Sequence, residues 1–218
     1  MVDIQRRQAC RSKGYWQSLV RDLQGRDKAF WGRRMEIYQQ ISEILTRQGE
    51  SAYVGEPVSQ REHALQSAYL AEQESGSDTL VVAALLHDIG HLLAADADAG
   101  EAKAVAGTDT RHEVLGQIWL AAYFPLSVTQ PILLHVAAKR YLCTTDAGYR
   151  EQLSPASMRS LQLQGGPMKP EEVTTFRKNP YFTDAVRLRH YDDAAKIPGL
   201  LVPGIAHYEE KIKRVQSH

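Results

Sequence analysis

The feature that most constrains this chain is a stretch of apolar residues, 83–93, that is interrupted by His87, Asp88 and His91. Its length and apolar character predict a buried helix over residues 79–95. On such a helix His87 and His91 lie four residues apart on one face, with Asp88 beside them. A buried charge without a partner is costly, whereas coordination of a metal ion satisfies imidazole and carboxylate together. Taken alone, the stretch also fits two core histidines that are satisfied by hydrogen bonds.

Helical periodicity continues along the rest of the chain, and no segment shows the strong alternation that is typical of a strand. Ser59 and Glu62 match the capping box of a helix start, and the Asp-, Gly- and Ala-rich segment 96–109 predicts a loop. The other predicted helices span residues 27–48, 59–74, 110–123, 127–141, 155–163, 170–177, 180–195 and 205–215. We therefore expect an all-α fold, with one helical domain over residues 29–218 and an N-terminal helical extension over residues 1–28.

Composition argues against several classes of protein. Lys and Arg balance Asp and Glu at 26 each, so no basic excess is present for binding nucleic acid. The sequence has no apolar run long enough to span a membrane, and residues 1–30 lack the apolar core of a signal peptide. Cys10 and Cys143 fit no zinc-binding spacing and are expected to be free thiols. We therefore expect a cytoplasmic protein that binds neither nucleic acid nor a membrane.

Further histidines and an aspartate extend the candidate metal site. In chain order the candidate ligands, each on a different predicted helix apart from the adjacent pair, are His63, His87, Asp88, His112, His135 and Asp192. Two neighbouring metal ions need about this many donors, and one carboxylate can bridge them. This ordered series resembles the HD-domain superfamily, a helical metalloprotein fold. The resemblance implies an HD-domain bundle with a dinuclear metal site, but it defines the fold better than the reaction.

The loop before His63 distinguishes between branches of that superfamily. Most HD domains are phosphohydrolases, and a smaller branch consists of mixed-valence di-iron oxygenases. Residues 53–66 closely resemble a signature of the phosphonate-cleaving oxygenases, in which an aromatic-Gly-Glu loop precedes the first histidine ligand. The resemblance implies that Tyr53 ligates one iron when substrate is absent and that Glu56 receives the cationic amine end of the substrate. A surface loop with a packed tyrosine is the alternative interpretation.

Two basic residues lie at helical spacing from candidate ligands. Lys139, one turn beyond a candidate histidine, should point toward the metals and could bind a phosphonate oxygen as a point charge. Arg189, three residues before Asp192, could offer a forked guanidinium to the same group. Ser157 and His91 match further substrate contacts of the phosphonate-cleaving family.

Together these residues lead to an expected reaction. The resemblance implies a di-iron oxygenase, with mixed-valence Fe(II)/Fe(III) and O2 as co-substrate, in which Tyr53, Glu56 and His91 act in catalysis. Its substrate would be a small 1-hydroxyphosphonate with an amino or trimethylammonio group on the next carbon, and its products phosphate and glycine or glycine betaine. Histidine-rich ligation suits iron better than magnesium.

Two other functions remain as alternatives at this point. A metal-dependent phosphohydrolase of a nucleotide or phosphate monoester would use the same ligands and Lys139, but it would need neither Tyr53 nor Glu56. A non-catalytic HD module that binds a ligand or partner is the third hypothesis. Such a module would not require all of the superfamily's ligand positions to be filled, whereas in this sequence all of them are.

Overall fold

The computed structural model of the protein describes residues 36–53, 55–97 and 111–217. Over these residues the regular structure is helical, apart from a single antiparallel bridge between Ala52 and Ser59. The all-α prediction is therefore confirmed. The expected N-terminal extension, 1–28, and most of the expected loop, 96–109, lie outside the described residues.

The helices of the described residues are numbered here in chain order. Their bounds are α1, Ile37–Gln48; α2, Gln60–Ser75; α3, Asp78–Leu86; α4, Ile89–Ala97; α5, His112–Leu120; α6, Leu126–Thr145; α7, Tyr149–Gln152; α8, Pro155–Leu163; α9, Pro170–Arg177; α10, Phe182–Ala194; and α11, Glu209–Val215, preceded by a 3₁₀ turn, Ile205–Tyr208. The short α7 was not expected from the polar sequence around it.

Helix α3 lies at the centre of the fold. Every side chain from Leu80 to Leu86 is buried, because this helix is apolar on all faces and is surrounded by α2, α6, α10 and α11. The start of α2 has the expected capping box between Ser59 and Glu62, and α2 ends at Gly76 in the left-handed conformation. Helix α3 thus delivers its C-terminal end, and the residues that follow it, to the middle of the molecule.

The single helix predicted over residues 79–95 is wrong, because two helices, α3 and α4, meet at a turn formed by His87 and Asp88. The Nδ1 atom of His87 lies 2.8 Å from the carbonyl oxygen of Ala84. In a continuous helix that oxygen would accept from the N–H of Asp88, so the side chain competes with the helical hydrogen bond. The turn places His87 and Asp88 at the point where several helices converge.

Helices α4 and α5 approach each other through two glycines. A Cβ atom on Gly90 would lie 2.0 Å from the carbonyl oxygen of His112 and 3.0 Å from the backbone nitrogen of Gly116. Since real side chains do not make such contacts, only glycine at position 90 allows α5 to lie this close. The close approach brings His112, the first residue of α5, beside the turn that carries Asp88.

A second hydrophobic cluster, which includes Tyr141, Tyr149 and Phe176, packs α7 and α9 on one end of α6 and α10.

The loop that carries Tyr53 is closed by a hydrogen bond from the N–H of Tyr53 to the carbonyl oxygen of Val58, at 3.0 Å. Among the described helices, none is both long and apolar enough to cross a membrane.

Candidate metal centre

The first group of donors combines side chains from α2, α10 and the turn after α3. His63 and His87 are fully buried, and the Nε2 atom of His63 lies 3.3 Å from Oδ1 of Asp192 and 3.7 Å from Oδ2 of Asp88. The Nε2 atom of His87 lies 3.5 Å from the same oxygen of Asp88. Four predicted ligands from distant parts of the sequence therefore surround one point.

The two histidines of this group expose lone pairs toward each other. The Nδ1 atom of His63 lies 2.8 Å from the carbonyl oxygen of Ala195, and that of His87 lies 2.8 Å from the carbonyl oxygen of Ala84. Because a carbonyl oxygen only accepts, each Nδ1 carries a proton, and in its neutral form each ring presents an unprotonated Nε2. These Nε2 atoms are 3.1 Å apart. Two facing lone pairs repel unless a proton or a metal ion lies beside them, and beside two carboxylates this donor set fits a metal ion.

The second group lies on the other side of Asp88. The Nε2 atoms of His112 and His135 are 3.1 Å apart, and they lie 3.2 Å and 3.6 Å from Oδ1 of Asp88. Nδ1 of His135 lies 2.7 Å from the carbonyl oxygen of Ile132, which directs Nε2 toward the carboxylate. These three residues could hold a second metal ion.

Asp88 joins the two groups. Its Oδ2 faces His63 and His87, and its Oδ1 faces His112 and His135. A carboxylate that turns one oxygen to each of two donor groups has the geometry of a bridging ligand between two ions. The six residues predicted as ligands thus lie together in the structure as two groups that share one carboxylate.

Negative charge is concentrated at this buried centre. Burial opposes ionisation of Asp88 and Asp192, but nearby His87 for the former and Arg189 for the latter hold both carboxyl pKa values well below the usual range. Burial also opposes protonation of His87, yet Asp88 and Asp192 raise the pKa of its imidazole to about 9. Without a metal, a proton on His87 therefore offsets part of the carboxylate charge, and a bound cation would replace that proton.

Tyr53 borders the first donor group. Its ring stacks on that of His63 with centroids 4.0 Å apart, and its hydroxyl lies 3.5 Å from Oδ1 of Asp192. Burial, with the charges of Asp192 and Asp88, raises the pKa of this phenol well above its usual value. The hydroxyl is therefore protonated beside the carboxylates, and only a cation at this position would favour the phenolate.

Arg189 is buried beside Asp192, and its guanidinium donates to groups of the protein. Its NH1 donates to Oδ2 of Asp192 at 2.5 Å, while Nε donates to the hydroxyl of Tyr149 at 2.9 Å and to Asp193 at 3.0 Å. NH2 forms a further ion pair with Asp193. The guanidinium thus orients the candidate ligand Asp192, and its predicted contact with a phosphonate stays a prediction.

Three serines lie at the N-cap and along the first turns of α8. Ser154, Ser157 and Ser160 are spaced three residues apart, and Nζ of the buried Lys139 donates to Oγ of Ser160 at 2.7 Å. Burial, with the charge of Arg189, lowers the pKa of Lys139 to about 8. We refer to these three serines as the serine row.

Glu56 approaches the other end of the serine row. Its Oε1 accepts a hydrogen bond from Ser154 at 2.5 Å and lies 3.3 Å from Nζ of Lys196. A Cβ on Gly55 would meet Ala156 of α8 at 3.0 Å, and Gly55 has a φ of 78°, so the loop depends on glycine here.

His91 lies behind the second donor group. Its ring stacks on that of His112 with centroids 3.9 Å apart. Burial and the charge of His112 lower its pKa to about 3, so its imidazole is neutral near pH 7. The structure places it against a candidate ligand, and its predicted role in catalysis remains untested.

Sequence reasoning missed several polar neighbours of the centre: Tyr149, Ser154, Ser160, Asp193 and Lys196. One signal was available, because the three-residue spacing of the serine row places its members on one helical face. Lys196 follows Asp192 by four residues, but it comes after the end of α10, so helical spacing alone gives no direction for its side chain.

No protein-family model matches the chain. The chain is 44% identical over 178 residues to the hydroxymethylphosphonate dioxygenase of Gimesia maris, a match that covers 82% of this chain and 87% of that protein. It is 41% identical over 182 residues to the glycine-betaine-forming (1-hydroxy-2-(trimethylamino)ethyl)phosphonate dioxygenase of Leisingera caerulea, covering 84% and 91%. An uncharacterised protein of Acanthamoeba polyphaga mimivirus is 33% identical over 195 residues, covering 87% and 88%.

Proposed function

The chain belongs to the family of the phosphonate dioxygenases, and from this membership we propose that it cleaves the C–P bond of a small 1-hydroxyphosphonate with O2. In this reaction the C1–H and C1–P bonds break, C1 becomes a carboxylate carbon, and phosphorus leaves as inorganic phosphate. The electrons lost by C1 reduce O2 completely. Oxygen uptake and phosphate release should therefore be equal, with no other reductant consumed.

The observation that carries the proposal is the pair of donor groups that share Asp88. Four of the six donor residues are histidines, a donor set that suits iron better than magnesium or calcium. We assign His63, His87, Asp88 and Asp192 to one iron and Asp88, His112 and His135 to the other. Two iron ions so held, as a mixed-valence pair, would bind substrate oxygens and supply the electron transfer to O2.

The chain's own residues would bind and orient the phosphonate. Lys139 supplies a buried cation, Ser160 supplies a hydroxyl within hydrogen-bond distance of its Nζ, and Ser157 supplies a second hydroxyl one turn earlier on α8. Arg189 holds Asp192 in position and adds positive charge to the region that receives the phosphonate anion. Tyr53, stacked on His63, lies where it could move aside as substrate oxygens enter.

The substituent beyond C1 is the part of the substrate that is least defined. Glu56 supports a substrate with an amino or trimethylammonio group, as in 2-amino-1-hydroxyethylphosphonate and its trimethylammonio analogue. One relative is named for the trimethylamino compound, whereas the other is named for hydroxymethylphosphonate, which has no cationic group. All three compounds are therefore candidate substrates.

The deciding experiment follows O2 consumption and phosphate release by iron-loaded protein with each of these three phosphonates. We expect equal amounts of O2 consumed and phosphate released with at least one of them, and neither with Asp88→Ala. Phosphate release without O2 uptake, or activity on phosphate monoesters alone, would contradict the proposal in favour of the phosphohydrolase. That alternative is not favoured, because it gives Tyr53 and Glu56 no role.

A further inference from the structure

Glu56, the residue expected to receive a substrate ammonium, already has a cation of the protein as its partner. Nζ of Lys196 lies 3.3 Å from Oε1 of Glu56 and donates to Oγ of Ser157 at 3.1 Å. The two side chains of the ion pair are only 12% and 8% exposed, for Lys196 and Glu56 respectively. The pair is therefore shielded from water, and it lies within the serine row.

The Lys196 ammonium also lies above the ring of Tyr53, 5.9 Å from its centroid. A carboxylate, an aromatic face and a hydroxyl are the groups that would recognise an alkylammonium ligand. Here all three are turned toward Lys196. The side chain thus occupies the environment that the cationic end of an aminated substrate would require.

The backbone around Lys196 is held on both sides. The carbonyl oxygen of Ala195 accepts from Nδ1 of His63 at 2.8 Å. The N–H of Ile197 donates to Gln66 at 3.0 Å, and its carbonyl accepts from the same side-chain amide at 2.8 Å. Because the neighbouring residues are fixed to α2, the position of Lys196 is part of the folded structure and does not depend on a substrate.

We propose that Lys196 determines the specificity of the phosphonate dioxygenase reaction by neutralising Glu56 from within the protein. Hydroxymethylphosphonate, which has no cationic substituent, enters with the ion pair intact and reacts with O2 to give formate and phosphate. Substrates with an ammonium group must displace Lys196 or place a second cation beside it. This inference rests on the proposed function and refines its substrate class.

The test compares Lys196→Met with the wild-type protein on hydroxymethylphosphonate and 2-amino-1-hydroxyethylphosphonate. Removal of the lysine frees Glu56 for the substrate ammonium, so the ratio of kcat/KM for the aminated to the hydroxymethyl substrate should rise by about tenfold or more. Anaerobic calorimetry with the same two compounds should show the same change in the ratio of Kd values. This second measurement is independent of turnover.

Three further variants separate the role of Lys196 from other effects. Lys196→Arg retains the cation and should keep the wild-type preference, and Lys213→Met removes an exposed lysine of α11 and should change nothing. Adding Glu56→Gln to Lys196→Met should reverse the gain for the aminated substrate, because the carboxylate that receives the ammonium is lost. Glu56→Gln alone should leave the hydroxymethyl substrate preferred, which provides a readout if Lys196→Met fails to fold.

The outcomes distinguish this inference from the proposed function. A wild-type protein that turns over none of the phosphonates contradicts the proposed function itself. An active protein in which Lys196→Met weakens both substrates equally shows that Lys196 binds the shared phosphonate, and this result overturns its role in specificity. An unchanged ratio overturns it as well.

Discussion

At the scale of single residues, the centre depends on which atom each side chain exposes. His63 and His87 each use Nδ1 to bind a backbone carbonyl, so both direct Nε2 to the same point. Asp88 divides its two oxygens between the donor groups, which makes it the residue that both groups share. Substitution of Asp88 should therefore have a different effect from substitution of a ligand that belongs to one group.

For Asp88→Ala we expect metal to be lost from both groups, together with activity. His112→Ala should lose metal mainly from the second group, because His63, His87 and Asp192 remain. Metal per chain, measured by mass spectrometry after dialysis, checks both variants. Asp184→Ala, which removes a carboxylate elsewhere on α10, is the control and should keep the wild-type content. An Asp88→Ala protein with wild-type metal content would disprove the bridging role.

Lys139→Ala should keep its metal and bind phosphonate more weakly. The lost contact is a charged hydrogen bond, worth about 1.5–3 kcal/mol, so Kd should rise by roughly one to two orders of magnitude. Anaerobic calorimetry with hydroxymethylphosphonate measures this change, with metal analysis of the same sample. If the variant also loses its metal, Lys139 supports the centre rather than the substrate.

The lowered pKa of Lys139 predicts a pH dependence. Only the protonated lysine attracts the phosphonate, so kcat/KM should fall as the pH rises through about 8, rather than above 10, where an exposed lysine titrates. Lys139→Arg keeps its charge over this range and should move the fall to higher pH. A wild-type profile that matches the Lys139→Arg profile would rule out this lysine as the titrating group.

At the scale of secondary-structure elements, the site is assembled by helix ends and close contacts. The turn between α3 and α4 presents His87 and Asp88, and α8 presents the serine row through its N-cap and first turns. The distance between the donor groups depends on how closely α5 packs on α4. Gly90 is the residue that permits this packing.

Gly90→Ala should therefore damage the second donor group without removing a ligand side chain. Its Cβ would meet the backbone of His112, so α5 must shift, at a cost of about 1–3 kcal/mol typical of overpacking. We expect a lower free energy of unfolding in denaturant titrations and a reduced metal content. Gly204→Ala is the matched control, because a Cβ there meets nothing within 4 Å. Equal behaviour of the two variants would contradict the role of the α4–α5 contact.

At the scale of the whole molecule, the centre connects elements that are far apart in the sequence. Its ligands come from α2, the α3–α4 turn, α5, α6 and α10, and they surround one carboxylate inside the main hydrophobic core. A metal ion that binds these groups only in the folded state stabilises that state relative to the unfolded chain.

Metal removal should therefore lower thermal stability. Free metal at about 100 times its Kd adds about 2.7 kcal/mol for one site, which corresponds to a rise in Tm of several degrees. Thermal unfolding followed by circular dichroism, with chelator and with added iron, measures the difference. Asp88→Ala should show little response to iron. A wild-type Tm that is insensitive to both treatments would contradict a metal centre in the folded core.

Much of the site could be predicted because its signals are present in the sequence itself. The order of the histidines and aspartates indicated the candidate ligands, and the capping box at Ser59 and the apolar length of α3, which are properties of neighbouring residues, indicated the all-α fold. The continuous helix over residues 79–95 was wrong because the His87 side chain competes for a backbone acceptor. That competition depends on the rotamer of His87, and the rotamer cannot be deduced from the periodicity of the apolar residues.

The sequence by itself determined which residues have metal-binding chemistry and which helices carry them, because residue type and helical spacing can be read directly from the sequence. Only the tertiary structure decided how Asp88 is shared and that Lys196 reaches Glu56 across 140 positions of numbering. The physical reason is that these contacts join side chains that are distant in the sequence. Their geometry is defined only when the core packs and backbone groups such as the carbonyl of Ala195 have found their partners.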